Sequence, residues 1–271
     1  MTSKIGWFHI ESPVNLLRAL CAAAVAVLAG IAVSAAPHAP SVVLTVFAAS
    51  DLGPAFKRIV PQFERKSRVR ITLVLGSTGM LAQQIRNGAP ADVFFAANET
   101  FVRQLSSERL TLQSSEAVYA RGRVAVVALK TAGVHVDSLT DLADPRVRRV
   151  AIANPQHAPY GLAAKQALEA TGLWTVVGPK LVFGENAQQA VQFVRSGSAE
   201  AGIVARSVSD TPDLTWHLVD ERFHAPLDQV AVVLARAKEP RTAASFIEFV
   251  NSADGRSVMR QFGFLLPGES E

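Results

Sequence analysis

The stretch Val42-Val-Leu-Thr-Val-Phe-Ala-Ala-Ser-Asp-Leu52 decides the fold class, because it leads from an apolar strand through a short polar turn into a helix. Its first six residues are mostly β-branched and apolar, which is typical of a buried strand. From Ser50 to Phe63, apolar residues recur at helical spacing with charged residues between them, which predicts an amphipathic helix. Pro61 falls inside this helix and is expected to kink it or to end its first part.

The alternation of strand and helix continues along the chain and predicts an α/β protein with mostly parallel sheets. Thr78 is predicted to cap one helix, which ends at Gly88. Further strands are predicted near 69–75, 91–96, 123–129, 149–153, 180–183, 201–205 and 229–235, and further helices near 160–171, 186–195 and, as a pair, 241–262.

Two short apolar segments of similar sequence, Val124–Ala128 and Val230–Leu234, are interpreted as paired hinge strands between two lobes. The first lobe would then comprise residues 41–121 and 228–271, and the second lobe residues 122–227. The alternative is that both segments are core strands of a single sheet, and the sequence alone does not decide between the two arrangements.

The first 35 residues are predicted to be a signal peptide. The apolar run Leu20–Val33 is shorter than the roughly 20 residues that a membrane span needs. Small residues follow it, so cleavage is expected after about Ala35 and the protein is expected in the periplasm. An uncleaved N-terminal anchor is the alternative. The single cysteine, Cys21, lies in this segment, so the mature protein is expected to use neither disulfides nor thiolate chemistry.

Composition and motifs argue against two other functional classes. The net charge of +4 is dispersed, with no run of Lys and Arg interleaved with aromatics, so no nucleic-acid partner is expected. The six histidines show no metal-ligand spacing, and no nucleophile elbow, phosphate loop or dinucleotide loop is present. A periplasmic enzyme therefore stays only as the alternative from another class, and a monomer without cofactor is expected.

Four loops that follow strands and precede helices are candidates for binding an anion. In open α/β sheets, ligands lie beyond the carboxyl ends of strands, where helix N-termini present free N–H groups and partial positive charge. Each loop alone is adequately interpreted as an ordinary helix cap. The set of four is more informative: Ala48–Asp51, Gly76–Gly79, Asn154–Gly161 and Gly184–Ala187.

The order and spacing of seven motifs resemble those of the periplasmic molybdate-binding protein family over residues 42–266. The motifs are Phe47-Ala-Ala-Ser-Asp-Leu52, Gly76-Ser-Thr-Gly79, Leu81-Ala-Gln-Gln-Ile85, Gly88-Ala-Pro-Ala-Asp-Val-Phe-Phe95, Asn154-Pro-Gln-His-Ala-Pro159, Gly202-Ile-Val204 and Gln261-Phe-Gly-Phe264. The resemblance implies a type II periplasmic binding protein fold, with two α/β lobes, two crossovers and an anion in the cleft. It also implies capture of molybdate or tungstate and delivery to the permease of an ABC importer in the inner membrane.

The resemblance also implies the residues that contact the anion. Ser50 and Thr78 match the family's hydroxyl donors, while Tyr160 and Ala187 match positions that donate backbone N–H groups. All four would contact the oxygens of the oxyanion rather than the metal atom itself. Asp51 is expected to donate its backbone N–H while its side chain turns away and caps the following helix, because a carboxylate repels a dianion.

One position departs from the family pattern. Many members carry a ligand-contacting tyrosine where this chain has Ala205. The Tyr160 hydroxyl is expected to replace that donor, and the alternative is that Tyr160 uses only its backbone N–H. Other oxyanions also stay open. Phosphate keeps a proton near neutrality, so a site for phosphate or phosphonate favours a hydrogen-bond acceptor such as Asp51. Sulfate differs from molybdate mainly in size.

Overall fold

The computed structural model describes residues 42–269, so the predicted signal peptide and Cys21 lie outside the described residues. In this part of the chain, ten strands form two five-stranded sheets. The strands are β1 (Val42–Ala49), β2 (Val69–Gly76), β3 (Val93–Ala96), β4 (Ala117–Gly122), β5 (Val124–Leu129), β6 (Val150–Ala153), β7 (Leu181–Gly184), β8 (Ala201–Ala205), β9 (Leu214–Leu218) and β10 (Leu227–Val233).

Each sheet has a parallel part and an antiparallel part. The first sheet has the order β2-β1-β3-β10-β4, in which β1 is parallel to β2 and β3 while β10 is antiparallel to β3 and β4. The second sheet has the order β7-β6-β8-β5-β9, in which β6 is parallel to β7 and β8 while β5 is antiparallel to β8 and β9. This two-lobed α/β architecture confirms the predicted fold class.

The helices follow the strands, and their short loops lie at the strands' carboxyl ends. The helices are α1 (Gly53–Ser67), α2 (Thr78–Arg86), α3 (Glu99–Ser107), α4 (Pro159–Ala170), α5 (Trp174–Val177), α6 (Ala187–Arg195), α7 (Arg206–Ser209), α8 (Pro240–Val250) and α9 (Ala253–Gln261). Short 3₁₀ turns occupy Ser50–Leu52, Leu139–Ala143, Gly178–Lys180 and Glu221–Phe223. No helix among residues 42–269 is both long enough and apolar enough to cross a bilayer.

The chain changes sheet between Gly122 and Val124, and again between Leu218 and Leu227. The two segments interpreted as paired hinge strands correspond to β5 and β10, which lie in different sheets. The alternative, that both segments are core strands of a single sheet, was therefore wrong, while the interpretation as hinge strands stays a prediction. The predicted lobe boundaries themselves stay a prediction.

Two details of the helices differ from the sequence expectations. Helix α1 does not end at Pro61 but continues to Ser67. Pro61 has no N–H to donate to the carbonyl of Lys57, one turn earlier. Both residues are exposed, so solvent can reach the carbonyl that loses its helical partner. The N-cap position of α2 is Ser77, and Thr78 is the first helical residue.

An aromatic cluster anchors β1 and α1 in the first lobe. Phe56 packs edge-on against Phe95, with ring centroids 5.0 Å apart, and against Phe246, at 5.8 Å. All three rings are fully buried. Burying one such side chain stabilises the fold by roughly 1.5–3 kcal/mol, so the cluster fixes the start of α1 relative to the sheet. This places the turn at Ser50 at a defined position.

Candidate functional site

All five residues predicted to contact the anion line one small cavity. The cavity lies between the loops that follow the strands of the two sheets. The structure thus brings the predicted contact residues together in one place, and their contacts with a ligand stay a prediction. The lining residues are Ala49, Ser50, Asp51, Gly76, Ser77, Thr78, Ala97, Ala158, Pro159, Tyr160 and Ala187.

The wall from the first sheet carries three buried hydroxyls, and two of them retain a free proton. Thr78 Oγ1 accepts a hydrogen bond from the Ala97 N–H at 3.2 Å, so its own proton is available to another acceptor. The Ser50 hydroxyl makes no hydrogen bond to any other residue of the described chain. Ser77 Oγ, in contrast, donates to the His157 carbonyl at 2.6 Å. Ser50 and Thr78 are therefore the side-chain donors that this wall offers.

The wall from the second sheet is made by the first turns of α4 and α6. Tyr160 is the second residue of α4, and Ala187 is the first residue of α6. The N–H groups of a helix's first turn have no intrahelical acceptor and carry partial positive charge. The side chain of Asn186 caps the N–H of Gln189 at 3.1 Å, which leaves the Ala187 N–H for a ligand.

The cavity holds no cationic side chain, since Lys, Arg and His are absent from its lining residues. Its positive potential comes from the helix N-termini, and its ionisable groups are Asp51 and Tyr160. Hydroxyls and amides donate hydrogen bonds without carrying a net charge. Such a site suits a small anion whose oxygens only accept hydrogen bonds.

Direct hydrogen bonds join the two lobes around the cavity. The Gly79 N–H donates to the His157 carbonyl at 2.9 Å, and Ser77 Oγ lies 2.8 Å from His157 Nδ1. On the other side, Ser207 Oγ donates to the Asp51 carbonyl at 2.9 Å. A Cβ at position 79 would lie 2.8 Å from the His157 oxygen, so the close approach of the two loops requires glycine.

Asp51 forms a buried side-chain network that also crosses between the lobes. Its Oδ2 accepts hydrogen bonds from Tyr160 Oη at 3.0 Å and from Gln229 Nε2 at 2.7 Å. Gln229 Oε1 accepts in turn from Tyr119 Oη at 2.8 Å. Burial raises the pKa of Asp51 from 3.8 to about 6, and the hydrogen bonds from Gln229 and Tyr160 oppose this rise.

This network changes the expectations for two residues. Tyr160 Oη carries one proton and donates it to Asp51, so the structure gives no support to its expected role as the donor that replaces the missing tyrosine at Ala205. The backbone N–H of Tyr160 stays a predicted ligand contact. The Asp51 side chain was expected to cap the following helix, and this was wrong: neither the 3₁₀ turn nor α1 has a side-chain cap.

A larger cavity lies where the chain crosses between the sheets. It is rich in cations, but Arg121 pairs with Asp228 at 2.7 Å and Arg222 pairs with Asp220 at 2.6 Å. These charges are already compensated. Among residues 42–269, no group of three His, Cys, Asp or Glu side chains is arranged to hold a metal ion.

The comparison with known sequences identifies the family. The sequence model of the bacterial extracellular solute-binding proteins matches residues 44–265. The chain belongs to this family. Two similar relatives are named as molybdate-binding protein ModA, from Azotobacter vinelandii (34% identical, covering 81% of this chain and 88% of the relative) and Rhodobacter capsulatus (30% identical, covering 90% and 95%). These identities confirm the resemblance to the molybdate-binding proteins.

The comparison with solved structures agrees. This solute-binding protein superposes on the periplasmic molybdate-binding protein of Azotobacter vinelandii with a TM-score of 0.77 and 28% identity, covering 83% of this chain and 99% of that chain. A putative molybdenum ABC transporter's substrate-binding domain from Clostridium difficile gives a TM-score of 0.65 at 26% identity, covering 83% and 99%.

Sequence reasoning missed several residues of the site in this solute-binding protein. Gln229, Tyr119 and Ser207 all belong to the network around Asp51. Gln229 and Tyr119 lie within strands, and Ser207 lies in the short helix α7 directly after β8, which the sequence did not predict. The one local signal was Gly122, since a Cβ there would lie 2.1 Å from Tyr160 Oη. A glycine that ends a predicted strand indicates close packing, but not against which residue.

Proposed function

We propose that this protein captures molybdate, or the closely similar tungstate, in the periplasm and delivers it to the permease of an ABC importer. Two relatives named as molybdate-binding proteins are 34% and 30% identical over most of the chain. Ser50, Thr78, Tyr160, Ala187 and the backbone of Asp51 would hold the oxyanion. The metal atom would stay coordinated by its own oxygens, so no cofactor is needed.

One observation carries the proposal: helix N-termini and free hydroxyls from both lobes meet in a small cavity that contains no cation. Molybdate and tungstate are fully deprotonated near neutral pH and only accept hydrogen bonds. The site offers donors from four separate loops, which matches a tetrahedral arrangement of acceptors. Phosphate keeps a proton near neutrality and needs an acceptor in the site. Asp51 is the one carboxylate of the cavity; its Oδ2 already accepts from Tyr160 and Gln229, while its Oδ1 has no partner, so phosphate is the second candidate ligand.

The proposal describes binding without turnover, by a monomer. Relatives of this chain are named as binding proteins. Ser77 of the cavity lies 2.8 Å from His157 Nδ1, but its single proton is donated to the His157 carbonyl, so the imidazole does not act on it as a base. The permease is proposed because the family's members are extracellular solute-binding proteins. Turnover of an ester or anhydride by the purified protein would contradict this part of the proposal.

A thermal-shift panel of oxyanions tests the proposed ligand. A ligand present at about 1,000 times its dissociation constant adds about 4 kcal/mol to the free energy of unfolding. For a chain of this size, that moves the melting midpoint by several degrees. We expect shifts of this kind with molybdate and tungstate, and little effect from equal concentrations of sulfate or phosphate. A larger shift with phosphate than with molybdate would overturn the proposal.

A further inference from the structure

Asp51 is the single carboxylate that lines the proposed molybdate cavity, and one of its two oxygens has no partner. The side chain is buried, with 1% of its residue surface exposed. Oδ2 accepts two hydrogen bonds, whereas Oδ1 is buried with no donor in hydrogen-bond geometry in the described part of the chain. The backbone N–H groups of Asp51 and Leu52 also favour the ionised carboxyl and lower its pKa, but less than burial raises it. A buried polar atom of this kind indicates a group that the site still has to provide.

Among residues 42–269, no cationic side chain pairs with the Asp51 carboxylate. The titratable groups that face it are Tyr119 on β4 and Tyr160 on α4, and burial together with the charge of Asp51 raises the pKa of both phenols well above 10. Gln229 on β10 and Ser207 on α7 are neutral partners. Four cations of the neighbouring elements form ion pairs with other carboxylates: Arg121 with Asp228, Lys165 with Glu169, Arg195 with Asp213, and Arg206 with Asp210. Arg206 also stacks on Trp216. Lys57 and Arg58 are exposed.

A dianion in the same buried cavity would repel an ionised Asp51, and the low dielectric would strengthen that repulsion. A proton on the carboxyl removes the repulsion. It also converts the unpartnered Oδ1 from an acceptor into a donor, while Oδ2 keeps its hydrogen bonds from Tyr160 and Gln229. The protonated acid thus offers the donor that Ala205 lacks and that the Tyr160 hydroxyl does not supply.

We infer that Asp51 takes up one proton from solvent when the oxyanion binds, and that the Oδ1–H of the neutral acid donates a hydrogen bond to the anion. The inference rests on the proposed function, since it assigns a role to a residue of that same cavity. In the ligand-free protein, burial raises the pKa of the Asp51 carboxyl to about 6. At neutral pH this carboxyl is therefore mostly ionised before the ligand binds. A bound dianion raises that pKa further.

Calorimetric titration with molybdate measures this coupling directly. Titrations between about pH 6.5 and 8.5, each in two buffers of different ionisation enthalpy, give the number of protons taken up per ion. We expect a value approaching one, and an affinity that falls about tenfold for each pH unit above the pKa of the free carboxyl. Molybdate binding without proton uptake and with a flat pH profile would overturn the inference while leaving the proposed function intact. No molybdate binding at any pH would overturn both.

The variant Asp51→Asn supplies a second, independent readout. Its amide oxygen keeps the acceptor role of Oδ2, and its NH₂ takes the place of the proposed Oδ1–H. We expect a pH-independent affinity, no proton uptake, and at pH 8.5 an affinity at least tenfold above wild type. The control Asp144→Asn removes an exposed carboxylate paired with Arg146 and should retain the wild-type linkage. Equal proton uptake by Asp51→Asn and wild type would contradict the inference, and the wild-type titration decides it even if the variant fails to fold.

Discussion

The hydroxyls of Ser50 and Thr78 are the side-chain donors of the cavity that no protein acceptor uses. A hydrogen bond to a charged group contributes roughly 1.5–3 kcal/mol. We therefore expect Ser50→Ala and Thr78→Ala each to weaken molybdate binding about 10- to 100-fold, whereas Thr78→Ser should have little effect because the hydroxyl is kept. Calorimetric titration measures these changes. The control Ser245→Ala removes a hydroxyl that caps a carbonyl far from the cavity and should bind like wild type. Wild-type affinity in both cavity variants would mean that the anion binds elsewhere.

Tyr160 acts on Asp51 rather than on the ligand, according to its hydrogen bonds. The variant Tyr160→Phe keeps the ring and the backbone N–H but removes a donor that favours the ionised carboxylate. The pKa of Asp51 should rise, so the pH at which molybdate affinity begins to fall should move upward. At pH 6 the affinity should stay within about threefold of wild type, since no charge-assisted hydrogen bond to the ligand is lost. A loss of tenfold or more at that pH would indicate that the hydroxyl binds the anion after all.

Asp51 also makes the stability of the ligand-free protein depend on pH. Its pKa is about 6 in the folded protein and 3.8 without the surroundings of the fold. Between these two pH values the folded state binds more protons than the unfolded state. The contribution of Asp51 to the free energy of unfolding is therefore fully present below about pH 4 and is lost as pH rises through 6. The loss is about 3 kcal/mol. We expect Asp51→Asn to melt several degrees higher than wild type at pH 8, with the difference vanishing near pH 4. Identical melting curves at both pH values would contradict the raised pKa.

At the scale of the elements, the N-terminus of α2 approaches the loop before α4 so closely that only glycine fits at position 79. Gly79→Ala would place its Cβ 2.8 Å from the His157 oxygen and separate the two loops. We expect molybdate affinity to fall at least tenfold, because donors from the two lobes no longer reach one ion. The control Gly178→Ala should be neutral, since its Cβ would lie 3.8 Å or more from its neighbours. Equal affinities of the two variants would show that closure does not require this contact.

The strands and helices around the cavity were predictable because their patterns are local. Apolar runs bounded by Pro, Gly or polar turns gave β1, β2, β6 and β8 to within about two residues. Strands β4 and β9, helix α3 and the short helices α5 and α7 were missed. In β4, Tyr119 and Ala120 are buried beside the exposed Val118, so the sequence shows neither a continuous apolar run nor a clean alternation. The partner strands could not be predicted, because β10 pairs with β3 and β4 over more than 100 residues of sequence.

The candidate site was predictable where it depends on local sequence and not where it depends on distant residues. Ser50, Thr78 and Ala187 lie where a strand ends and a helix begins, and the topology of parallel strands brings such loops together. The role of Asp51 was not predictable, because it depends on Gln229, which is 178 residues distant, and on Tyr160, which is 109 residues distant. Neither partner belongs to a motif that includes Asp51. From the sequence, the Asp51 side chain was therefore expected to turn away from the anion, on the ground of charge repulsion alone.

At the scale of the whole molecule, the cavity needs both lobes, since each contributes donors. We expect molybdate to favour the closed arrangement, in which the hydrogen bonds of His157 and Asp51 cross between the lobes. Small-angle X-ray scattering should then give a smaller radius of gyration with saturating molybdate than without it. An unchanged scattering profile would indicate that the protein is already closed before the ion binds.

The position of β10 sets an order in which the molecule can fold. All five strands of the second sheet come from the unbroken segment 124–218, so every pairing in that sheet forms without any later residue. The first sheet is different, because β10 lies between β3 and β4 and is the only strand beside β4. Strands β3 and β4 cannot join into one sheet until β10, residues 227–233, which follows the second lobe in the chain, lies between them. The second lobe is therefore the unit that can complete itself first, and the ion-binding cavity is among the last features of the fold to assemble.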